Sequence, residues 1–176
     1  IRPSRGLGDV YKRQVGIVGA ISGTVKTETR ELKAGDQIYL NETIYAGPGS
    51  GTQILLLDQS TFTVGEDSEV VMDTFIFDPE TNDGKIVASV KQGSLKVISG
   101  LISKKNPDSL TVEVPEGTLG SRGTEFQTIV SKGKTDTLLI GPGKNNTLGM
   151  RPGAVLVGNN LGSTLLDNPY SMASMT

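Results

Sequence analysis

Gly120-Ser121-Arg122-Gly123-Thr124-Glu125-Phe126 sets an arginine between two glycines, at the end of one β-like run and the start of another. Glycines at such a point let the backbone turn sharply between strands. Outward from it, Leu110, Val112 and Val114 alternate with Thr111 and Glu113 on one side, and Phe126, Thr128 and Val130 alternate on the other. Both predict half-buried strands. Upstream lies a second ordered stretch, Lys91-Gln92-Gly93-Ser94-Leu95-Lys96-Val97-Ile98-Ser99-Gly100.

The same pattern extends along the chain. Residues 15–27 predict an opening strand interrupted by Gly16, Gly19 and Gly23. Residues 29–34 suggest a helical turn, followed by the turn Gly35-Asp36. Short strands are expected at 37–40 and 43–46. The nearly continuous apolar run at 52–58 suits a strand buried on both faces. Residues 69–77 predict a longer strand with Met72, Thr74 and Ile76 on one face and Val71, Asp73, Phe75 and Phe77 on the other. Residues 78–84 form a hairpin loop, with Asp83-Gly84 taking the positive-φ positions. Ile86, Ala88 and Val90 then alternate with polar residues, and Leu95 and Val97 continue after Gly93. Beyond Gly141 the sequence turns rich in Gly, Asn and Pro. It reads as loops with one short strand at 154–157 and a tail of low order.

Composition agrees. The 176 residues include 23 glycines and few aromatics, which suits one all-β domain with many turns. The chain has no His and no Cys, which excludes a Ser-His-Asp triad, a thiol nucleophile, a disulfide and a thiolate zinc site. Strands short enough to turn every eight to twelve residues predict a β-helix-like (solenoid) or sandwich-like arrangement.

The first fourteen residues stand apart. Asp9-Val10-Tyr11-Lys12-Arg13-Gln14 is what a common transposon-end sequencing adapter encodes in one frame, so residues 1–14 are expected to be read-through at the edge of a metagenomic contig. They carry Arg2, Arg5, Lys12 and Arg13 against Asp9. Of 17 basic and 19 acidic residues, 13 and 18 remain beyond them, a net charge of −5. That balance argues against nucleic acid or an anionic membrane as the main partner. No apolar run reaches the roughly 20 residues a spanning helix needs. No signal peptide is visible, as expected if the N-terminus is truncated; the C-terminus is open to the same reading. The expected organisation is 1–14 as read-through, 15–140 as the β-domain, and 141–176 as an extension.

Taken in order, these stretches resemble the FecR family of bacterial extracytoplasmic regulatory domains. The resemblance rests on Gly35-Asp36, then Ala46-Gly47 with residues 54–58 (ending in Asp58) and Ser60, then Gly93-Ser94-Leu95-Lys96, then Val114-Pro115, and finally 120–126 with Gly120, Arg122, Gly123, Thr124 and Phe126. The loop at 77–81 and Ser99-Gly100 resemble one bacterial subgroup. Two departures stand out: Glu116-Gly117 follows Pro115 where the family carries a small apolar residue and Ala, and Ser121 stands where an apolar residue precedes the arginine. The resemblance implies a non-enzymatic sensing and protein-interaction module in the periplasm or at the cell surface, with an envelope protein as partner, engaged by strand addition. No cofactor, nucleic acid or membrane insertion is implied. The anti-sigma segment and membrane helix of the regulators are not in this sequence, so a structural, adhesin-like module of a larger exported protein remains the alternative.

Other residues invite chemistry. Arg122 could clamp a ligand carboxylate with two prongs, but a strand corner has orphan backbone groups to satisfy, and we read it as a structural clamp. Asp78, Glu80, Asn82 and Asp83 offer oxygens for calcium, yet Asp83 stands where an EF-hand needs glycine, and a hairpin tip is the simpler reading. The carboxylate pairs Asp58 with Glu66 and Asp36 with Glu42 could serve glycoside chemistry, but Tyr39 and Tyr45 are the only clustered tyrosines and no Trp exists, so exposed turn carboxylates are the simpler reading. Gly141-Pro142-Gly143-Lys144-Asn145-Asn146-Thr147 lacks phosphate-loop spacing and reads as a turn.

Overall fold

The computed structural model describes residues 13–144 and 153–176. Those residues form fifteen strands, β1 (Gln14–Ser22), β2 (Val25–Lys26), β3 (Gln37–Tyr39), β4 (Thr43–Ala46), β5 (Gly51–Leu56), β6 (Thr61–Val64), β7 (Ser68–Phe77), β8 (Gly84–Ile98), β9 (Leu110–Val114), β10 (Gly117–Arg122), β11 (Glu125–Ser131), β12 (Lys134–Gly141), β13 (Ala154–Asn159), β14 (Gly162–Leu166) and β15 (Met172–Met175). One short helix, α1 (Leu101–Lys105), and a 3-10 turn (Pro107–Ser109) separate β8 from β9. The protein is all-β, as composition and alternation predict.

All fifteen strands belong to one mixed sheet made of two runs. The first run is β3-β1-β5-β6-β8-β11-β12-β15, and the second is β2-β4-β7-β8-β9-β10-β13-β14. Every contact is antiparallel except β8 with β9. Parallel neighbours need a crossover, and α1 with the 3-10 turn carries the chain from Ile98 back to lie beside Ile86.

β8 belongs to both runs. Its first half pairs with β7 and β9, and its second half pairs with β6 and β11. The change occurs at Gly93, whose φ is +89°. A Cβ there would lie 2.1 Å from Ser68 Oγ and 2.4 Å from Ser68 Cα. Ser68 also accepts the Ser94 N–H at its hydroxyl, 2.9 Å away, so the corner is bolted as well as bent. Both runs feed one core cluster, with Val97, Phe126 and Leu139 from the first and Ala88, Val112, Leu119 and Val155 from the second.

Several sequence expectations change. Residues 52–58 are not buried on both faces: Thr52, Ile54 and Leu56 face in, whereas Leu55 and Leu57 are exposed, because one face of an antiparallel sheet meets solvent. In β7 the ladder slips between Met72 and Thr74, leaving Asp73 as an extra residue that accepts from the Ser89 hydroxyl. That bulge resets the alternation, so Met72 and Phe75 both face the core and Ile76 faces out. In the loop after β7 the positive φ falls on Asn82, not on Asp83-Gly84. Residues 29–34 form no helical turn; Glu31 bridges back to Lys26, and the Leu32 N–H donates to the Val25 carbonyl.

The C-terminal stretch holds three strands where one was expected. The β13–β14 hairpin extends the second run through β10, and β15 extends the first run through β12. At the other end, β1 begins at Gln14, inside the stretch read as adapter, and Arg13 donates to the Phe75 carbonyl at 3.2 Å. Residues 1–12 lie outside the described residues.

Two glycines separate backbone strain from steric exclusion. Gly35 has φ +91°, but nothing lies within 4 Å of a Cβ placed there. We predict that Gly35→Ala costs about 1 kcal/mol from the left-handed backbone alone. Gly93→Ala adds a collision with Ser68 and should cost roughly 3 kcal/mol or more. Denaturant unfolding of the two variants side by side checks this; equal losses would show that the Ser68 contact is not decisive.

Candidate functional site

The residues singled out from sequence do not converge on one pocket. They mark corners. Gly35-Asp36 closes the turn after β2: Gly35 N–H donates to the Val18 carbonyl, Val18 N–H donates to the Asp36 carbonyl, and the Asp36 carboxylate accepts from Lys33 N–H, each at 2.8 Å. Pro115 and Glu116 form the two-residue turn between β9 and β10. Gly120 sits inside β10, opposite Thr111 and Leu156, rather than in a turn. Phe126 is fully buried in β11, between Val97 and Leu139.

Two motifs meet around α1. Asp58 is fully buried. Its carboxylate accepts from the Ser60 N–H at 3.0 Å, the Ser60 hydroxyl at 2.9 Å and the Ile102 N–H at 3.3 Å. Its own carbonyl accepts the Leu101 N–H at 2.7 Å. One aspartate therefore folds its own turn and satisfies the first N–H groups of α1, which would otherwise be orphans. Gly100 allows the approach, since a Cβ there would lie 2.3 Å from Ser60 N and 2.4 Å from the Asp58 carbonyl oxygen. Sequence reasoning missed both α1 and this capping role. The available signals were Ser99-Gly100 ahead of an apolar pair and Pro107 behind it.

The second motif sits beyond the C-terminal side of the same crossover. At Gly123, φ +60°, the chain leaves β10 in the second run and enters β11 in the first. Thr124 is buried and fully engaged. Its N–H donates to the Ser99 hydroxyl at 3.2 Å, its carbonyl accepts from that hydroxyl at 2.8 Å, and its own hydroxyl donates to the Pro142 carbonyl at 3.3 Å. Thr124 thus joins the ends of β8 and β12 to the start of β11. Arg122 places Nε 2.9 Å from the Asp108 carboxylate in the 3-10 turn, with both side chains about half or more exposed.

A cleft of about 550 Å³ opens over this corner, lined by Ile98, Lys104, Thr124, Glu125 and Pro142. Glu125 pairs with Lys96 at 2.9 Å across the β8–β11 ladder. The exposed wall of this cleft is predominantly apolar.

The other candidates resolve into structural contacts. Asp78 accepts the Glu80 N–H at 2.9 Å, an Asx turn, and Asp83 pairs with Lys105 at 2.9 Å. The Lys105 ammonium, aided by the Thr81 hydroxyl, holds the Asp83 carboxyl below its ordinary value. Among the described residues no cluster of three or more Asp or Glu could hold a metal ion. The proposed carboxylate pairs are committed elsewhere: Glu66 accepts from Gly49 N–H, Glu42 binds Arg30, and Asp36 and Asp58 hold their own turns. Asn145, Asn146 and Thr147 of the glycine-rich loop lie outside the described residues.

These contacts differ in worth. Breaking the Asp58 node leaves buried N–H groups unmatched, and Asp58→Ala should cost about 3 kcal/mol in denaturant unfolding. A loss below 1 kcal/mol would mean that water replaces the carboxylate. An exposed ion pair contributes little, so Arg122→Lys should change stability by less than ~1 kcal/mol. Ser121 behaves oppositely: it is fully buried, and its hydroxyl has no partner among the described residues. Ser121→Ala removes an unpaired polar group and should raise stability by about 1 kcal/mol; thermal unfolding of the two variants checks both signs.

Comparison with known proteins gives one decisive match. The family model described as FecR protein matches residues 42–140. No curated protein matches the chain. Among solved structures, a candidate anti-sigma factor from Parabacteroides distasonis is similar with a TM-score of 0.45 at 10% identity, covering 73% of this chain and 60% of that one. This chain therefore spans less than two thirds of that neighbour's length. The family match takes in β4 to β12, with the Asp58 node, the Gly93 corner and the Gly123-Thr124 crossing all inside it, and the chain belongs to the FecR family.

Proposed function

We propose that this chain is a non-enzymatic sensing and protein-interaction module working outside the cytoplasm, in the periplasm or at the cell surface. Its partner is an envelope protein, engaged by an extended segment that adds to a free strand edge. Family membership supports the regulatory reading. No helix among the described residues is long and apolar enough to cross a membrane.

The observation that carries the strand-addition reading is an asymmetry among the four edges. At the β2 edge the chain folds back on itself, with Leu32 N–H on the Val25 carbonyl and Thr27 N–H on the Arg30 carbonyl. At the β3 edge Arg30 donates to the Gln37 carbonyl, and Glu42 accepts the Tyr39 N–H at 2.8 Å. Those edges are short and closed by side chains or loops, as edges that avoid pairing are. β14 (Gly-Ser-Thr-Leu-Leu) and β15 (Met-Ala-Ser-Met) carry no charge and no proline, and among the described residues each is paired on one side only. A cleft of about 350 Å³ lies between them. An uncharged open edge offers main-chain hydrogen bonds for affinity and alternate side chains for selection.

The second reading, a structural module of a larger exported protein, draws on the same edges, because open edges also stack tandem modules. Affinity capture from a bacterial envelope fraction should retain a specific protein, and Met172→Lys on the β15 edge should weaken its retention. Capture of nothing, or capture indifferent to that change, overturns the edge reading. The full reading frame separates the two roles: a neighbouring sigma-factor gene marks a regulator, and a long repetitive continuation marks a surface protein.

A further inference from the structure

We propose that the β14 edge is a self-association site, where a second copy of this chain pairs antiparallel about a two-fold axis through Thr164. This goes beyond the partner reading above, since it occupies β14 and leaves the β15 edge open.

The argument starts from register. The β13–β14 hairpin has a two-residue loop, Asn160-Leu161, closed by the pair Asn159 and Gly162. In such a hairpin the closing pair exchanges hydrogen bonds, and bonded and non-bonded pairs alternate from there. Gly162, Thr164 and Leu166 thus turn their backbone groups toward β13. Ser163 and Leu165 turn theirs away, toward open solvent. No hydrogen bond among the described residues meets them.

Those two residues are spaced symmetrically about Thr164. A two-fold axis there sets Ser163 opposite Leu165 of the second copy, and Leu165 opposite its Ser163. Each pair exchanges two main-chain hydrogen bonds, and the second run of strands continues unbroken from one molecule into the other.

Side-chain size fits the same axis. On the outer face, Thr118, Gly158 and Ser163 lie in one cross-strand row, and Gly120, Leu156 and Leu165 lie in the next. The first row is small where it nears the edge, and a trough of about 450 Å³ runs along it. The second row ends in two leucines, Leu156 and Leu165, 40% and 46% exposed. The two-fold joins the leucine row of one copy to the small row of the other. Leu165 then projects over Ser163 and Gly158 of the second copy. Leu161, 93% exposed at the hairpin tip, lies beside the seam. No residue of β14 is charged, so bringing two copies together meets no like-charge repulsion from the strand itself.

The contact is small. A five-residue edge with Leu165 on its outer face, and Leu156 and Leu161 beside it, falls at or below the low end of specific interfaces, roughly 1,000 Å² in total. Self-association in the micromolar to submillimolar range follows, seen as a concentration-dependent mass.

Sedimentation velocity of the full chain from 1 to several hundred micromolar (on the order set by that weak interface) should show monomer passing to dimer. Leu165→Lys lies on an exposed position and should weaken the dimer at least about tenfold, with the circular dichroism spectrum unchanged. Adding Ser163→Glu to Leu165→Lys should restore the dimer, because the two-fold sets each new lysine against a new glutamate. A wild-type chain that stays monomeric throughout overturns the proposal. So does a dimer indifferent to Leu165→Lys, or one that the second substitution fails to rescue. Capture of an envelope partner by the monomeric Leu165→Lys chain leaves the reading of β15 intact, so the two failures are distinct.

Discussion

The fold depends on one strand belonging to two runs. β8 is fifteen residues long, and its halves hydrogen-bond to different neighbours. A continuous strand can do this only if its backbone changes direction without losing its bonds. Gly93 supplies the left-handed φ, and the missing Cβ lets Ser68 close in from β7. Ser68 then stitches across the corner, donating to the Glu66 and Ser94 carbonyls while accepting the Ser94 N–H. Once β8 is fixed, β7 and β9 must build on one half and β6 and β11 on the other. The remaining strands add outward from those.

Parts of this device recur where the chain passes between runs. Gly23 (from β1 to β2) and Gly123 (from β10 to β11) supply a left-handed φ, Gly65 (from β6 to β7) lets Ser94 close in, and from β3 to β4 the left-handed position is Asn41. A glycine-rich composition is therefore a record of crossings as much as of ordinary turns. Side chains near each crossing absorb the exposed backbone groups: Ser50 accepts the Thr24 N–H, and Ser99 serves Thr124. The buried hydroxyls of Ser50, Ser68 and Thr124 all stand at such joints.

This explains what was legible in the sequence. Alternation identified β8, β9 and β11, because in those strands one face is buried and the other is not. It failed at β7, where the Asp73 bulge changes the phase midway, and no local signal announces a bulge that the partner strand imposes. It failed at β5, where four consecutive apolar residues hid a strand with one wet face. The β14 and β15 strands were invisible because their residues are small, polar or exposed, and only the neighbours β13 and β12 make them strands. Asp58 was marked as a motif residue, but its task was not readable. Its partners, Leu101 and Ile102, lie more than forty residues away on a helix too short for periodicity to reveal.

The buried motif positions are already spent on holding corners. Asp58, Thr124 and Phe126 are buried, and the polar groups of Asp58 and Thr124 are already satisfied within the chain. Gly93 and Gly123 present no side chain at all. The family motif thus fixes where strands bend and leaves their outward residues free to vary. The positions that folding does not consume are the outer faces, the cleft over Gly123-Thr124 and the β14 and β15 edges, and the proposed recognition rests on those edges. An edge strand has spare backbone donors and acceptors whatever its side chains are. Such an edge can keep a constant mode of binding while outward residues such as Leu165 or Met172 set its specificity. A domain built this way can serve one geometry of contact with many partners, and the part of the sequence that identifies the fold says least about which partner it meets.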